Sequence, residues 1–177
     1  MILVIVSLPG MLMEGAGIDW SAIYMDTTFS SGAFLAGLAV AVVTLSQAIT
    51  RYFADSFVDK YSPVTVGRTL LICLTAGILL VLFPISISLS MAGFAIIGIG
   101  TSVLFPLAIS AAAQRTDRPA TVNVAALAQI SFVTFLAGPP ILGFVAEHFG
   151  IQWVYGFGLP LVALALFHVK SLAGSDR

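Results

Sequence analysis

RYFADSFVDKYSPVTVGR, residues 51–68, holds three of the seven Lys and Arg residues of the chain, Arg51, Lys60 and Arg68, and separates two long apolar runs. Moving outward from it, the next break, around Pro84, contains no Lys or Arg, and the one after that contains Arg115 and Arg118. Lys170 and Arg177 follow the last apolar run, whereas the breaks around Asp26 and around Glu147 and His148 carry no Lys or Arg. Basic residues at every second break mark cytoplasmic loops, because Lys and Arg are retained on the cytoplasmic side during insertion. The pattern predicts an all-α polytopic membrane protein with six transmembrane helices and both termini cytoplasmic.

Composition agrees. Hydrophobic residues make up 59% and charged residues 8% of the 177 residues, and the mean hydropathy is +1.10. A soluble domain carries roughly 25% charged residues, so this chain cannot clothe itself for water, and the lipid bilayer is its first expected partner. Nucleic acid is not expected as a partner: five of the seven basic residues lie in two short loops and none forms a basic helix face. Cys73 stands alone inside an apolar run, which excludes a disulfide or metal framework, and no cofactor or metal is expected. The first apolar run begins at Ile2 without the basic region of a signal peptide and leads into further spans, so it is expected to be a transmembrane helix. Its abrupt start suggests the back end of something longer.

About 20 residues cross a hydrocarbon core roughly 30 Å thick. On that measure the spans are 2–24, 31–52, 64–83, 88–113, 120–146 and 151–170, forming one six-helix transmembrane domain over residues 1–177. The connections are short, and the longest, residues 53–63, is expected to be a cytoplasmic loop. Small residues four apart predict close helix contacts: Ala33, Gly37 and Ala41 in the second span, Gly98 and Ser102 in the fourth.

The polar residues inside these spans are the candidate functional residues. Glu14 lies in the run MEGAGIDW, residues 13–20, about 18 Å along a first helix of about 33 Å, near the membrane midplane. A carboxylate there costs about 2.5–3.5 kcal/mol on insertion scales, so it must face a cavity, find a partner or be protonated. It reads either as a substrate or proton site or as a carboxyl bonded to a neighbouring helix. Gly15 and Gly17 beside it would let the helix loosen, as transporter helices do at binding sites. Asp19 lies about 140° around the helix from Glu14, so the two do not form an acid/base dyad. Trp20 is either an interfacial anchor or an aromatic wall for a ligand. Gln47 shares a helix face with Arg51, and Asn123 and Gln129 interrupt the fifth span; together they suggest an aqueous path through the bundle. In the fifth span, Gly138, Pro139, Pro140 and Gly143 read as a bend or gating element, because the two prolines leave the carbonyls of Phe135 and Leu136 without their helical donors.

The loop after the second span, from Arg51 through Asp55, Asp59 and Lys60 to Pro63 and ending at Gly67 and Arg68, resembles the loop signature of the major facilitator superfamily in its carboxy-terminal version. The Gly-Pro-Pro of the fifth span is similar to that superfamily's eleventh helix. The run EGAGIDWS, residues 14–21, is similar to the seventh helix of a bacterial branch that includes sugar-permease-like and rhizopine-associated membrane proteins. Thr50, Ala54 and Ser62 stand where the loop pattern has Gly, and Ser56 replaces the Arg beside Asp55.

The resemblance implies half of a twelve-helix major facilitator fold, built as two inverted three-helix repeats, in a bacterial inner membrane. It implies a secondary transporter, not an enzyme, that moves a small solute by alternating access, possible proton coupling included. Glu14 would bind substrate or carry the proton, Arg51, Asp55 and Arg68 would form a cytoplasmic latch, and spans one and four would face the cavity. The implied partners are the small-molecule substrate and an amino-terminal six-helix half or a second copy of the chain. A nonfunctional fragment or a structural membrane subunit is the alternative. An intramembrane protease is disfavoured because Ser102 lacks a following Gly and His148 and His168 lie at span ends. A channel is disfavoured because neither Asn-Pro-Ala loops nor a Thr-Val-Gly-Tyr-Gly filter is present.

Overall fold

The computed structural model describes residues 2–174; Arg177, one of the basic residues that set the predicted orientation, lies outside the described residues. Six stretches are long and apolar enough to cross a membrane: Ile2–Asp19, Gly32–Tyr61, Pro63–Leu82, Ile87–Ala113, Ala120–Phe149 and Trp153–Ala173. They are built from α1 (Ile2–Asp19), α2 (Ser21–Phe29), α3 (Gly32–Tyr61), α4 (Pro63–Leu82), α5 (Ile87–Thr101), α6 (Leu104–Ala113), α7 (Ala120–Phe149), α8 (Trp153–Gly156) and α9 (Gly158–His168), followed by a 3-10 turn, Val169–Ala173. The expected all-α membrane architecture is therefore the one observed.

Three details differ from the expected spans. The first helix is interrupted at Trp20 and continues as α2 to Phe29; the Trp20 N–H still donates to the Ala16 carbonyl at 3.0 Å and Tyr24 N–H to the Trp20 carbonyl at 2.8 Å. The second helix does not end at residue 52 but runs to Tyr61, so most of the expected loop 53–63 is helical. Residues 38–62 contain no Gly or Pro to stop it, and at water depth a helix tolerates Asp55, Asp59 and Lys60 on its surface. The chain turns at Ser62, whose φ of 74° falls where glycine is favoured. Its Oγ accepts from the Thr65 N–H at the start of α4, and Pro63 follows as the first helical residue. The fourth span is two helices, parted at Ser102 and Val103. By contrast, α7 stays helical through Pro139 and Pro140.

The helices fall into two triplets with matching roles. In each, the first helix is central: 56% of Ile2–Asp19 and 61% of an 18-residue stretch within Ile87–Ala113 is buried. The second, 30 residues long in each, is peripheral: α3 buries only Ala39, Val43, Gln47 and Ala54, and α7 only Leu127, Ser131, Gly138, Leu142 and Val145. At one end of the bundle Tyr24, Phe94 and Tyr155 stack edge to face with centroids 5.4–5.7 Å apart. The hydroxyl of Tyr24 donates to the Val81 carbonyl at 2.6 Å and that of Tyr155 to the Ala16 carbonyl at 3.1 Å, so both polar tips are satisfied among apolar neighbours.

Small residues set the helix spacing, though not all those expected. At Gly98 a methyl group would run into Ser46 Oγ and the Val43 carbonyl of α3. At Gly100 it would come within 2.7 Å of the Leu74 backbone nitrogen of α4. Ala33, Gly37 and Ala41, by contrast, lie on the exposed side of α3, and nothing packs within 4 Å of Gly37. The contact face of α3 is instead Ala39, Val43 and Gln47.

Because the obstacle at Gly98 includes a backbone carbonyl, Gly98→Ala must push α3 away from α5. The expected loss is about 1–3 kcal/mol, the usual cost of overpacking, read as a lower unfolding midpoint in mild detergent. Gly37→Ala, on the open face, serves as the control; equal midpoints for both variants would refute this account of the α3–α5 contact.

Candidate functional site

Pro106 begins the site. It lies in the first turn of α6, and because proline has no N–H, the carbonyl of Ser102 four residues earlier has no helical donor. Ser102 is buried. In an apolar surrounding an unsatisfied carbonyl costs several kcal/mol, and here the donor comes from another helix: Arg51 Nε of α3 reaches the Ser102 carbonyl at 2.7 Å. One turn earlier on α3, buried Gln47 donates from Nε2 to Thr101 Oγ1 at 3.4 Å, and Thr101 Oγ1 donates to the Gly98 carbonyl at 3.3 Å. Two α3 side chains thus clamp the junction between α5 and α6.

An arginine in a span needs a counter-charge, and α1 supplies it. Arg51 Nη2 donates to Glu14 Oε1 at 3.0 Å, the sole ion pair among the described residues. The side chains are 46% and 19% exposed respectively, so the pair is neither sealed in the core nor free. The carboxylate that lipid should not tolerate is matched by the guanidinium, and the two cancel to a net-neutral polar centre joining α1, α3 and the α5–α6 junction.

The remaining candidates are dispersed. Asp19 and Trp20 lie on another side of α1, with Gly15, in a small cleft against Thr134, Gly138 and Pro139 of α7. The Trp20 ring lies 3.7 Å from where a side chain at Gly143 would begin, and Leu12 reaches within 3.2 Å of the equivalent point at Gly138. The Gly-Pro-Pro segment is therefore where α7 closes on α1. Asn123 donates to Asp117 Oδ1 at 3.0 Å near the start of α7. Gln129 is exposed on the outer face of α7.

Arg51, expected in a cytoplasmic latch with Asp55 and Arg68, is paired with Glu14. Asp55, Asp59, Lys60 and Arg68 are exposed and form no ion pair among the described residues; Lys60 Nζ rests 5.0 Å from the centre of the Tyr61 ring. The residues missed from sequence are Thr101 and Pro106. Pro106 inside an apolar run was the available signal, since it marks a carbonyl four residues earlier that needs a donor. No group of three or more His, Cys, Asp or Glu is placed to hold a metal among the described residues.

Residues 2–173 match the family model described as Major Facilitator Superfamily. Among curated proteins, the chain is 33% identical over 168 residues to an uncharacterized MFS-type transporter of Yersinia pestis, covering 92% of this chain and 41% of that protein. It is 31% identical over 143 residues to an uncharacterized transporter of Sinorhizobium fredii, covering 81% of this chain and 38% of the relative. To the membrane protein MosC of Rhizobium meliloti it is 30% identical over 182 residues, covering 98% and 44%. The chain thus spans about two fifths of the length of these relatives. No solved structure matches.

The dependence of Arg51 on Pro106 can be measured. Pro106→Ala gives Ser102 a local donor, so removing the guanidinium should then matter less. In a double-mutant cycle, Arg51→Gln should cost about 1 kcal/mol less in the Pro106→Ala background than in wild type, a coupling typical of residues sharing one network. Strict additivity of the two unfolding free energies would mean that Ser102 does not rely on Arg51.

Proposed function

The chain belongs to the Major Facilitator Superfamily, and on that premise we propose that it is one six-helix half of a secondary transporter carrying a small solute by alternating access. The observation that carries the proposal is the Glu14–Arg51 pair, 3.0 Å apart and partly exposed, between two helices long and apolar enough to cross a membrane. Charge inside a membrane is expensive and is kept where a solute or ion pathway uses it. Glu14 is the group we assign to proton or substrate binding, and the α5–α6 interruption beside it fits the broken helices that transporters place at their binding sites.

The partner is the second part of the proposal. The two peripheral helices present large exposed apolar side chains, among them Phe34 and Leu45 on α3 and Phe132, Phe135 and Leu136 on α7. The share of each relative that the chain matches, 38–44%, supports a second six-helix unit covering some of this surface, either an amino-terminal half or a second copy. Rocking of the two units, with α7 moving over Leu12 and Trp20 at its glycines, would open the site to one side at a time. We place the protein in the bacterial inner membrane with both termini cytoplasmic, on the distribution of Lys and Arg.

The test is uptake of a metabolite mixture, read by mass spectrometry, into membrane vesicles from cells making the protein with its neighbouring reading frames. Wild type should concentrate at least one solute, an uncoupler should abolish the gradient, and Glu14→Gln should reduce accumulation at least tenfold. Undiminished accumulation by Glu14→Gln would remove Glu14 from the mechanism, and no accumulation of any solute would count against transport.

A further inference from the structure

Arg51 is held in place but not used up. Of the five N–H groups of a guanidinium, Nε is committed to the Ser102 carbonyl at 2.7 Å and one on Nη2 to Glu14 at 3.0 Å. Both bonds lie on the inner edge. The outer edge, formed by Nη1 and the second N–H of Nη2, meets no acceptor among the described residues, and 46% of the side chain is exposed. Gln47 and Ala54 on the same helix are buried, so the guanidinium stands at the boundary between packed protein and open space. The other charged side chain of the site, Glu14, is also open on one side: its Oε2 has no hydrogen-bond partner among the described residues.

A free guanidinium edge is a planar two-donor fork that matches the two oxygens of a carboxylate. Its orientation is fixed before any ligand arrives, because the inner edge is locked to a carbonyl that Pro106 leaves without a helical donor. Preorganisation of this kind lowers the entropic cost of binding. We propose that Arg51 is a ligand-binding residue and that the solute is a monocarboxylate, gripped through the outer edge of its guanidinium. The inference rests on the transport reading above and assigns the substrate class of that same site.

Charge decides against a more highly charged ligand. Glu14 already offsets Arg51, so a phosphate dianion would bring two further negative charges to a site with one cation. Lys60 lies nine residues further along α3, about 13 Å away by helix rise, and Arg115 and Arg118 lie in the loop beyond α6. A carboxylate seated on Arg51 also faces Glu14 as a rival for the same cation. Removing the charge of Glu14 should therefore tighten carboxylate binding, the opposite of what loss of a direct substrate contact would do.

The experiment uses the purified chain in lipid nanodiscs and its thermal unfolding midpoint. The probes are matched pairs, lactate with lactamide, benzoate with benzamide, and nicotinate with nicotinamide, together with inorganic phosphate and chloride. At least one carboxylate should stabilise wild type with an apparent affinity tenfold or more above that of its amide. Arg51→Lys, which keeps the charge but not the fork, should lose that preference tenfold, and Glu14→Gln should bind the same carboxylate severalfold more tightly. Equal stabilisation by acid and amide, stabilisation by none of the acids, unaltered binding by Arg51→Lys, or phosphate binding as tightly as the carboxylate would overturn the proposal. Carboxylate binding in nanodiscs without solute uptake in vesicles would instead defeat the transport reading and leave Arg51 as a carboxylate receptor; uptake of an uncharged solute would do the reverse.

Discussion

One hydrogen bond organises the centre of this bundle: Arg51 Nε to the carbonyl of Ser102, at 2.7 Å. It exists because Pro106 cannot supply the N–H that a continuous helix would have offered. A carbonyl without a donor is tolerable at a water-facing turn but not among packed apolar helices, so the interruption of the fourth span demands a polar group from elsewhere. An arginine meets that demand and creates a second one, since a lone guanidinium in a span costs several kcal/mol. Glu14 meets it. Three features that are each unfavourable in lipid, a broken helix, a cation and a carboxylate, become acceptable only together.

The geometry of the contact depends equally on what is missing. Arg51 and Gln47 can reach the α5–α6 junction because α3 comes so close to α5, and it does so because Gly98 has no side chain to meet Ser46 and the Val43 carbonyl. Absence of bulk at one position and presence of a long side chain one to two turns away are the same design. On its other side α1 is treated differently. There Gly15, Asp19 and Trp20 meet Gly138 and Pro139 of α7, a contact of small residues and one large ring without ion pairing. One face of α1 is tied by charge to α3, while its face toward α7 is packed without an ion pair among the described residues.

The fold was legible in the sequence where the physics is local. Span number follows from the length of apolar runs, each interrupted by a short polar or turn-forming break. The end of α3 was not legible from hydropathy, because a helix that leaves the membrane keeps its hydrogen bonds without keeping its apolar face; the absence of Gly or Pro before Pro63 was the better guide. In the site, Glu14 stood out alone because its cost is a property of one residue. Its partner did not: Arg51 is 37 positions away, nothing local joins the two, and its place at the edge of a charged stretch suggested a latch. Pro106 was readable but is one of several prolines in apolar runs. Pro139 and Pro140 drew attention as a pair, yet α7 passes through them as a helix, whereas the single Pro106 coincides with a break.

The partial exposure of the ion pair bears on what it can do. A fully buried pair is locked by the desolvation cost of separating its members, commonly 3–5 kcal/mol when one partner is removed, and a fully exposed pair contributes about 0–1 kcal/mol and constrains little. Glu14 and Arg51 lie between these limits, at 19% and 46% exposure. Glu14 has one anchor, the guanidinium; Arg51 has two, and the second is a neutral carbonyl that does not change with the charge state of anything nearby. Without the pair, Arg51 would still hold its bond to the Ser102 carbonyl, whereas Glu14 would hold no side-chain hydrogen bond among the described residues. The asymmetry ties Arg51 to the α5–α6 junction and to α1 at once, whereas Glu14 is tied to α3 alone.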